Sequence, residues 1–316
     1  MSNFLLRRDD GVGLAVRPVR RAEIEPALRL ILAGHGSGSD TTAAAEFLQA
    51  AQSRGIDLTT IWVVADDLRE KLAWATLPMA LAGRTTLLMV PPRLGRGVTA
   101  KHVTHAVGGA LSQSKRSGAV IAQVMLDPQH QAVQRVLLDA GFEDIAELVY
   151  LSREVRNPIR GQILADQYRL QRYDRATHFR FGQCIERTYI DSLDCPRLNG
   201  RRAIDDIIDG HKAAGEFDPA LWMLLSDLHD VDLGALLLSR LHDRQGYELV
   251  YIGLTPEARG KKLADALIRT ALNTLANDGG GQLITACDAT NAPARKLYHR
   301  HGFGQMYARR ALVRDL

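Results

Sequence analysis

The sequence predicts an α/β protein of the α+β kind, made of two similar domains in tandem, each with a mixed, mostly antiparallel sheet flanked by helices. Two pairs of landmarks predict the tandem arrangement. Gly141-Phe142 recurs as Gly302-Phe303, 161 positions later, and Val90-Pro91-Pro92 recurs as Leu254-Thr255-Pro256, 164 positions later. Because the two offsets are nearly equal, we infer that one domain type is used twice.

Strand-like and helix-like runs follow one another in the same order in both halves. In the first half, strands are predicted over residues 14–18, 60–65, 72–77, 85–90, 119–126 and 148–153, and helices over 22–32, 43–52, around 103–111 and over 132–140. In the second half, strands are predicted over 168–173, 221–225, 233–241, 248–254, 283–288 and 305–313, and helices over 177–190, 202–213, around 263–275 and over 292–301. We place the join at Asn157-Pro158, because the residue before a proline disfavours a continuing element. The expected domains are therefore residues 1–157 and 158–316.

Composition excludes several classes of protein. The 316 residues suffice for two domains with cores of their own, and 46% hydrophobic with 24% charged residues is ordinary for a folded protein. The formal charge of +4 is small and the basic residues are dispersed, so no nucleic-acid partner is expected. No apolar run approaches the ~20 residues of a membrane helix. The run Phe4-Leu5-Leu6 is followed at once by Arg7, so no secretory signal is expected either.

The cysteines and histidines predict a reducing compartment and no metal. Cys184, Cys195 and Cys287 cannot all pair and form no C-x-x-C motif, which is typical of reduced thiols in a cytoplasmic protein. Ten histidines are present, but none belongs to a recognisable ligand cluster. His299 and His301 point about 200° apart on a helix, which is poor geometry for one ion.

The most informative segment joins a strand to an amphipathic helix over residues 254–264. The strand ends at its start, because a proline two positions later cannot donate to a ladder. The turn contains Arg259 and Gly260 and opens directly into a helix, whose first N–H groups are free and whose dipole favours an anion. With Lys261 and Lys262 adding charge, the segment is a candidate pyrophosphate cradle, and a solvated basic turn is the alternative. The candidate cofactor-binding residues here are Leu254, Thr255, Arg259, Gly260, Lys261, Lys262, Leu263 and Ala264.

This segment resembles motif A of the GNAT (general N-acetyltransferase) superfamily, whose pattern is hydrophobic-x-Pro-x-x-Arg/Gln-x-x-Gly-x-Gly/Ala. Leu254, Pro256, Arg259 and Ala264 match, whereas Lys262 stands where the first motif glycine is expected. The family's helix Asn-x-x-Ala-x-x-x-Tyr-x-x-x-Gly-Phe is matched by residues 291–303. Two motifs in the right order are far more specific than either alone, and the resemblance is strong over residues 165–316.

The first half carries weakened copies of both motifs. In residues 90–100, Gly95 stands where Arg or Gln belongs and Val98 stands in place of a glycine. In the second motif, Leu137 occupies the position of the tyrosine, while Gly141-Phe142 persists. We therefore expect a degenerate N-terminal domain that is structural or binds cofactor without turnover.

The resemblance implies an acetyl-CoA-dependent N-acetyltransferase, active in the C-terminal domain, that moves an acetyl group to a primary amine. Tyr298 aligns with the family tyrosine that donates a proton to the departing sulfur, and a core-packing tyrosine is the alternative. Asn291 would cap its helix and contact the cofactor, or only cap the helix. By period-two alternation, Glu248 shares a strand face with Val250, Ile252 and Leu254 and could accept the proton of the amine, unless it is a solvent-facing edge carboxylate.

The acceptor itself is left open by the sequence. The first helices of the second half carry six carboxylates, which suit a cationic amine or two solvated helix faces equally: Glu186, Asp191, Asp194, Asp205, Asp206 and Asp209. Transfer of a larger acyl group is a variant of the same chemistry. A non-catalytic acyl-CoA-binding or regulatory module is the alternative of another class, which Lys262 favours and Tyr298 opposes.

Overall fold

The structure is a computed structural model that describes residues 13–33, 40–159, 163–241 and 246–316. The expectation about a secretory signal falls on Phe4 and its neighbours, which lie outside the described residues. Within the described ranges, no helix has both the length and the apolar character needed to cross a membrane.

The elements of the first half come in the predicted order. They are β1 (Leu14–Pro18), α1 (Ile24–Ile31), α2 (Asp40–Arg54), β2 (Trp62–Asp66), β3 (Lys71–Leu81), β4 (Thr85–Met89), α3 (Ala100–Arg116), β5 (Ile121–Leu126), α4 (Gln131–Asp139) and β6 (Glu143–Val155). The predicted stripe of α3, which includes Val103, Val107 and Leu111, is buried. Spacing of apolar residues at three and four positions therefore identified both the helix and its inward face.

The second half repeats this order. Its elements are β7 (Tyr168–Arg172), α5 (His178–Thr188), α6 (Ile204–Lys212), β8 (Trp222–Asp227), β9 (Asp232–Arg240), β10 (Gly246–Leu254), α7 (Leu263–Asn277), β11 (Gly281–Asp288), α8 (Ala292–Arg300) and β12 (Gly304–Asp315). In α7 the predicted stripe from Leu263 to Leu275 is buried. The mixed, mostly antiparallel α/β architecture is confirmed, with β4–β5 and β10–β11 as parallel pairs.

The chain forms two compact units that exchange their final strands. The first unit combines the residues up to Ile145 with Arg310–Leu316, and the second is Ala146–Arg309. In the first unit, Arg310 to Asp315 of β12 pair antiparallel with β5. In the second unit, residues 148–155 of β6 pair antiparallel with β11. The predicted domains, residues 1–157 and 158–316, follow chain order. The units of the structure instead follow strand pairing, so the end of β6 belongs to the second unit and the end of β12 to the first.

Two apolar clusters flank the sheet of the second unit. One lies beneath α7 and α8 and includes Leu249, Leu283 and Tyr298. The other lies beneath α5 and α6 and includes Ile185 and Ile208. We refer to these two sides as the α7/α8 face and the α5/α6 face. Because neighbouring residues of a strand point to opposite faces, the cluster to which a strand residue belongs shows which face it occupies.

Candidate active site

A fork opens in the second unit between β10 and β11. The two strands pair in parallel only where residues 246–248 face residues 282–284. Beyond that point β10 continues beside β9 as far as Leu254, and β11 continues beside β6 as far as Asp288. The strands therefore separate, and the gap between them runs through the sheet from one face to the other.

A β-bulge lies on β10 where the fork begins. In the pairing with β9, the register shifts between Leu249 and Tyr251, so Val250 is an extra residue. Val250 and Tyr251 consequently both pack on the α5/α6 face, whereas Ile252 and Leu254 pack on the α7/α8 face. The expectation that Glu248 shares its face with Ile252 and Leu254 is wrong, because the bulge reverses the alternation after Val250.

Tyr298 lies at the closed end of the fork, on the α7/α8 face. Its hydroxyl lies beside the side chain of Thr285, the first residue of β11 beyond the parallel pairing. Thr285 donates through Oγ1 to the carbonyl oxygen of Leu249, at 3.0 Å. Burial raises the pKa of Tyr298 above its usual range, so the phenol keeps its proton at neutral pH.

Glu248 lies on the opposite face of the sheet. Its neighbours Tyr247 and Leu249 belong to the cluster beneath α7 and α8, so the carboxylate points to the α5/α6 side. The side chain is half-buried, and this burial raises the pKa of Glu248 above its usual value. The structure thus brings a protonated phenol and a carboxylate to the two faces of one fork, and the carboxylate is not a fully solvated edge residue.

The loop after β10 is fixed to the neighbouring strand and leads into an open helix end. Thr255 is buried and donates to the carbonyl oxygen of Leu233 through its backbone N–H, at 2.9 Å, and through its hydroxyl, at 3.2 Å. Gly260 has φ +75° and Lys262 has φ +60°, so the chain passes twice through the left-handed region before α7. Lys262 occupies the N-cap position and provides no side-chain cap.

The first turn of α7 therefore keeps its N–H groups for other partners. The first backbone hydrogen bond of the helix runs from Ala266 N to Lys262 O, at 3.2 Å, and the N–H groups before it have no partner within the helix. Leu263 is buried and Ala264 packs against the core, while Gly260, Lys261 and Lys262 are exposed. A positive, uncapped helix end is what a pyrophosphate cradle requires.

Arg259 does not direct its guanidinium toward this helix end. Its Nε donates to Leu254 O at 3.2 Å, and its two terminal nitrogens donate to the carbonyl oxygens of Thr188 at 2.9 Å, Ile190 at 2.7 Å and Asp191 at 3.2 Å. The arginine thus holds the end of β10 to the C-terminal end of α5. The arginine of the motif is therefore present, but its guanidinium binds carbonyl oxygens of the protein instead of facing a free anion site.

Asn291 caps α8 and is tied to the loop that follows α5. Its Oδ1 accepts from Ala294 N at 3.2 Å, and its side chain is hydrogen-bonded to the carboxylate of Asp194. Asp194 also accepts from the backbone N–H of Asp288 at 2.9 Å. Residues 188–194 are therefore fastened at one end to β10 through Arg259 and at the other end to β11. This bridging segment crosses the open end of the fork. In the sequence, only its carboxylates, Asp191 and Asp194, marked it as part of a candidate site.

The six carboxylates expected at the acceptor wall are not gathered into one site. Asp206 is half-buried and the other five residues are exposed. Oδ1 of Asp205 lies 3.4 Å from Nε2 of His178, and the carboxylate of Asp194 accepts a hydrogen bond from β11. Among the described residues, no group of three or more His, Cys, Asp or Glu side chains is arranged to hold a metal ion.

A family model matches the part of the chain that forms this site. Residues 193–303 match the acetyltransferase (GNAT) family. We refer to these residues, about a third of the chain, as the GNAT domain. The match contains the fork, the loop before α7 and the helix of Tyr298, and it begins after β6 and α5.

Curated relatives of the chain share the name mycothiol acetyltransferase. A mycothiol acetyltransferase of Beutenbergia cavernae is 34% identical over 87 residues, which are 28% of this chain and 29% of that protein. A mycothiol acetyltransferase of Rhodococcus erythropolis is 29% identical over 115 residues, 34% of this chain and 38% of that protein. The chain thus matches only about a third of the length of these curated relatives.

Solved structures resemble the whole chain in fold. A GCN5-related N-acetyltransferase from Sphaerobacter thermophilus has a TM-score of 0.62 at 16% identity and covers 96% of this chain and 95% of its own. A glucosamine N-acetyltransferase region of a fungal multi-domain β-N-acetylglucosaminidase has a TM-score of 0.60 at 12% identity, over 96% of this chain and 38% of its own. At these identities the similarity shows the GNAT fold over both units.

The corresponding loop of the first unit is closed by its own side chains. Thr99 caps α3 in a reciprocal arrangement with His102, whereas Lys262 leaves α7 uncapped. A Cβ atom on Gly95 would overlap the carbonyl of Ala73 in β3, so this loop lies directly on the strand. Val98 packs against the core of the unit. The helix end that is open in the GNAT domain is therefore already satisfied in the first unit.

Proposed function

We propose that the protein is an acetyl-CoA-dependent N-acetyltransferase that acetylates a primary amine at the fork of the second unit. The observation that carries the proposal is the fork itself, with the proton of Tyr298 on one face and the carboxylate of Glu248 on the other. Acetyl transfer needs an acid for the departing thiolate and a base for the amine, and the fork connects two such groups.

The α7/α8 face suits the acyl donor. Its pyrophosphate would be held by the N–H groups at the start of α7 and by Lys261 and Lys262, with Gly260 leaving room for close approach. The pantetheine arm would run along the edge of β10 that the fork exposes. Its amide groups would pair there with the backbone of β10, in the place of a neighbouring strand. The acetyl thioester would then lie beside the hydroxyl of Tyr298.

The amine would approach from the α5/α6 face. Glu248 accepts its proton, directly or through water, and the neutral nitrogen attacks the thioester carbonyl, with backbone N–H groups of the bulged strand stabilising the oxyanion. The C–S bond of the tetrahedral intermediate then breaks, and the leaving thiolate takes the phenolic proton of Tyr298. The nitrogen loses its second proton, which restores the phenol of Tyr298 through solvent. Thr285, which donates to Leu249 and contacts the phenol, would position it. Positioning supplies much of the acceleration, because a thioester is already reactive.

Calorimetric titration of acetyl-CoA into the full-length chain tests the cradle. Lys261→Glu places a carboxylate beside a pyrophosphate and should weaken binding about tenfold, ~1.4 kcal/mol. Lys115→Glu, the same charge reversal on the exposed side of α3, is the matched control and should leave the affinity unchanged. Absence of binding by the wild-type protein would reject the proposed function, and equal affinities of the two variants would reject the assigned cradle.

A non-catalytic acyl-CoA-binding module is the second candidate. It is favoured by Lys262, because a side chain in the left-handed conformation stands where the motif has glycine. Release of CoA thiol in the presence of primary amines separates the two candidates, since a binding module takes up acetyl-CoA without consuming it. Cys184, Cys195 and Cys287 are all free thiols. They support our further proposal that the protein works in the cytoplasm. The dispersed basic residues support the proposal that it has no nucleic-acid partner.

A further inference from the structure

Two tyrosines of the second unit stack on each other outside the machinery described above. Tyr150 on β6 and Tyr307 on β12 have ring centroids 4.6 Å apart with an interplanar angle of 25°. The guanidinium carbon of Arg309 lies 4.8 Å from the centroid of the Tyr307 ring. Arg309, Tyr307 and Tyr150 therefore form an aromatic column in which Tyr307 is the middle member.

The strand register places the Tyr150 end of this column on the same face as Glu248. Tyr150 faces Ala286 across the pairing of β6 with β11. Ile284, two residues before Ala286, faces Glu248 across the pairing of β11 with β10. Residues two apart point to the same side of a strand, so Tyr150 and Glu248 share the α5/α6 face. Burial raises the pKa of the Tyr150 phenol, and the neighbouring Tyr307 and Glu248 raise it further.

Tyr150 keeps part of its side chain exposed to solvent. The ring contacts of the described residues pair Tyr150 with Tyr307 alone, and no described cation lies over it. Tyr150 is half-buried, while Tyr307 and its neighbour Met306 are each 42% exposed. The column is therefore a solvent-accessible aromatic surface beside a carboxylate, at the side of the fork from which the amine would enter.

We propose that Tyr150 is the acceptor-binding residue and that the acceptor is a primary amine carried on a ring. The ring packs on the exposed part of Tyr150, which is held in place by Tyr307 and Arg309, and the amino group then lies at Glu248. Offset stacking on a tyrosine favours a flat or cyclic body over a flexible chain, because the chain loses more conformational freedom for less contact. This inference rests on the proposed acetyl transfer and adds its substrate class.

The position of Tyr150 also gives the first half of the chain a part in the chemistry. β6 closes the sequence repeat of the first half, but its residues from Ala146 onward belong to the second unit. Tyr150 precedes the residues matched by the family model, which begin at residue 193. The acceptor wall is therefore completed by a strand that the matched domain does not itself contain.

Steady-state acetyl transfer by the full-length protein tests the inference, with CoA-thiol release as the readout. The probes are glucosamine, whose amine is on a saturated ring, tyramine, whose amine is joined to an aromatic ring by two methylene groups, and cadaverine, a linear diamine. The wild-type protein should show a KM for at least one ring amine about tenfold below that for cadaverine. Tyr150→Ala should raise the ring-amine KM about tenfold and leave the KM for cadaverine and for acetyl-CoA unchanged.

Two further variants guard against a general structural effect. Tyr150→Phe keeps the ring and should keep the preference, so a loss in this variant would overturn stacking as the basis of recognition. Phe179→Ala removes an aromatic ring that is 70% exposed at the start of α5. It should change the KM neither for the ring amines nor for cadaverine. Melting temperatures of all variants identify any that fail to fold, in which case Tyr150→Leu replaces Tyr150→Ala.

The outcomes separate this inference from the proposed function. Transfer to cadaverine as readily as to the ring amines, or an unchanged preference in Tyr150→Ala, overturns ring recognition while acetyl transfer stands. Binding of acetyl-CoA without transfer to any ring amine also overturns it. Failure to bind acetyl-CoA at all overturns the proposed function, and the inference falls with it.

Discussion

Replacement of Arg259 by lysine separates two roles for the motif arginine. If the side chain neutralises a pyrophosphate by charge alone, lysine preserves its function. If the guanidinium acts as a clamp between β10 and the bridging segment (residues 188–194), lysine cannot replace it, because one ammonium cannot reach carbonyl oxygens on both sides of the group. The four hydrogen bonds to Leu254, Thr188, Ile190 and Asp191 predict the second outcome.

The magnitude follows from the surroundings of those bonds. The bonds to Leu254 and Thr188 are partly buried and should contribute about 1.5 kcal/mol each, while the two exposed bonds should contribute about 0.5 kcal/mol each. A lysine that retains one of them leaves a loss of about 2–3 kcal/mol in the free energy of unfolding. Acetyl-CoA should also bind more weakly, because the loop before α7 is no longer fixed to α5.

Urea denaturation of the full-length chain measures the loss, with Arg169→Lys as the control at an exposed arginine of β7. Calorimetry with acetyl-CoA gives the affinity of the same variants. A change in unfolding free energy below about 0.5 kcal/mol, the usual scale of a surface substitution, would refute the clamp. Unchanged stability together with unchanged acetyl-CoA affinity would show that charge alone matters at this position.

Four further variants test the site and its surroundings. Tyr298→Phe should lower kcat about 10²-fold with little change in the KM for acetyl-CoA, and a rate within threefold of wild type would exclude the phenol as the acid. Glu248→Gln should remove the ascending limb of the pH–rate profile, which in the wild type lies above the ordinary carboxyl range because burial raises the pKa of Glu248. Lys262→Gly should raise the free energy of unfolding by about 1 kcal/mol by relieving a positive φ, and a lowered melting temperature would contradict this. Burial lowers the pKa of His211 to about 4 from its ordinary 6.5. The free energy of unfolding should therefore be fully present above pH 6.5 and fall by up to about 3 kcal/mol toward pH 4. In thermal melts, His211→Phe should lose that part of the acid sensitivity, and an identical pH profile would show that His211 is not its cause.

The sequence predicted the elements because their signals are local. Apolar spacing identified α3 and α7 together with their buried faces, and the proline after Leu254 marked the end of β10. The second motif identified α8, which carries Tyr298 and has Asn291 at its N-cap. These features depend on residues within one or two turns of each other, so a single chain without relatives contains enough information to find them.

Other parts of the site depend on contacts that chain order does not encode. The bulge at Val250 adds one residue to β10, and simple alternation then assigns Ile252 and Leu254 to the wrong face of the sheet. The direction of the Arg259 side chain depends on carbonyl oxygens about 70 positions earlier in the chain. The proposed acceptor-binding role of Tyr150 depends on the pairing of β6 with β11, which joins a strand of the first half to the second unit.

The exchanged strands have a consequence for how the protein is made. The first unit takes its last strand from Arg310 to Asp315, which are synthesised after all the other strands described here. The sheet of the N-terminal unit therefore stays incomplete until these residues have been made, although nearly all of that unit emerges first. Until then, the edge of β5 that will pair with β12 stays open to other strands. Deletion of residues 310–315 would thus damage the N-terminal unit before it affected the fork.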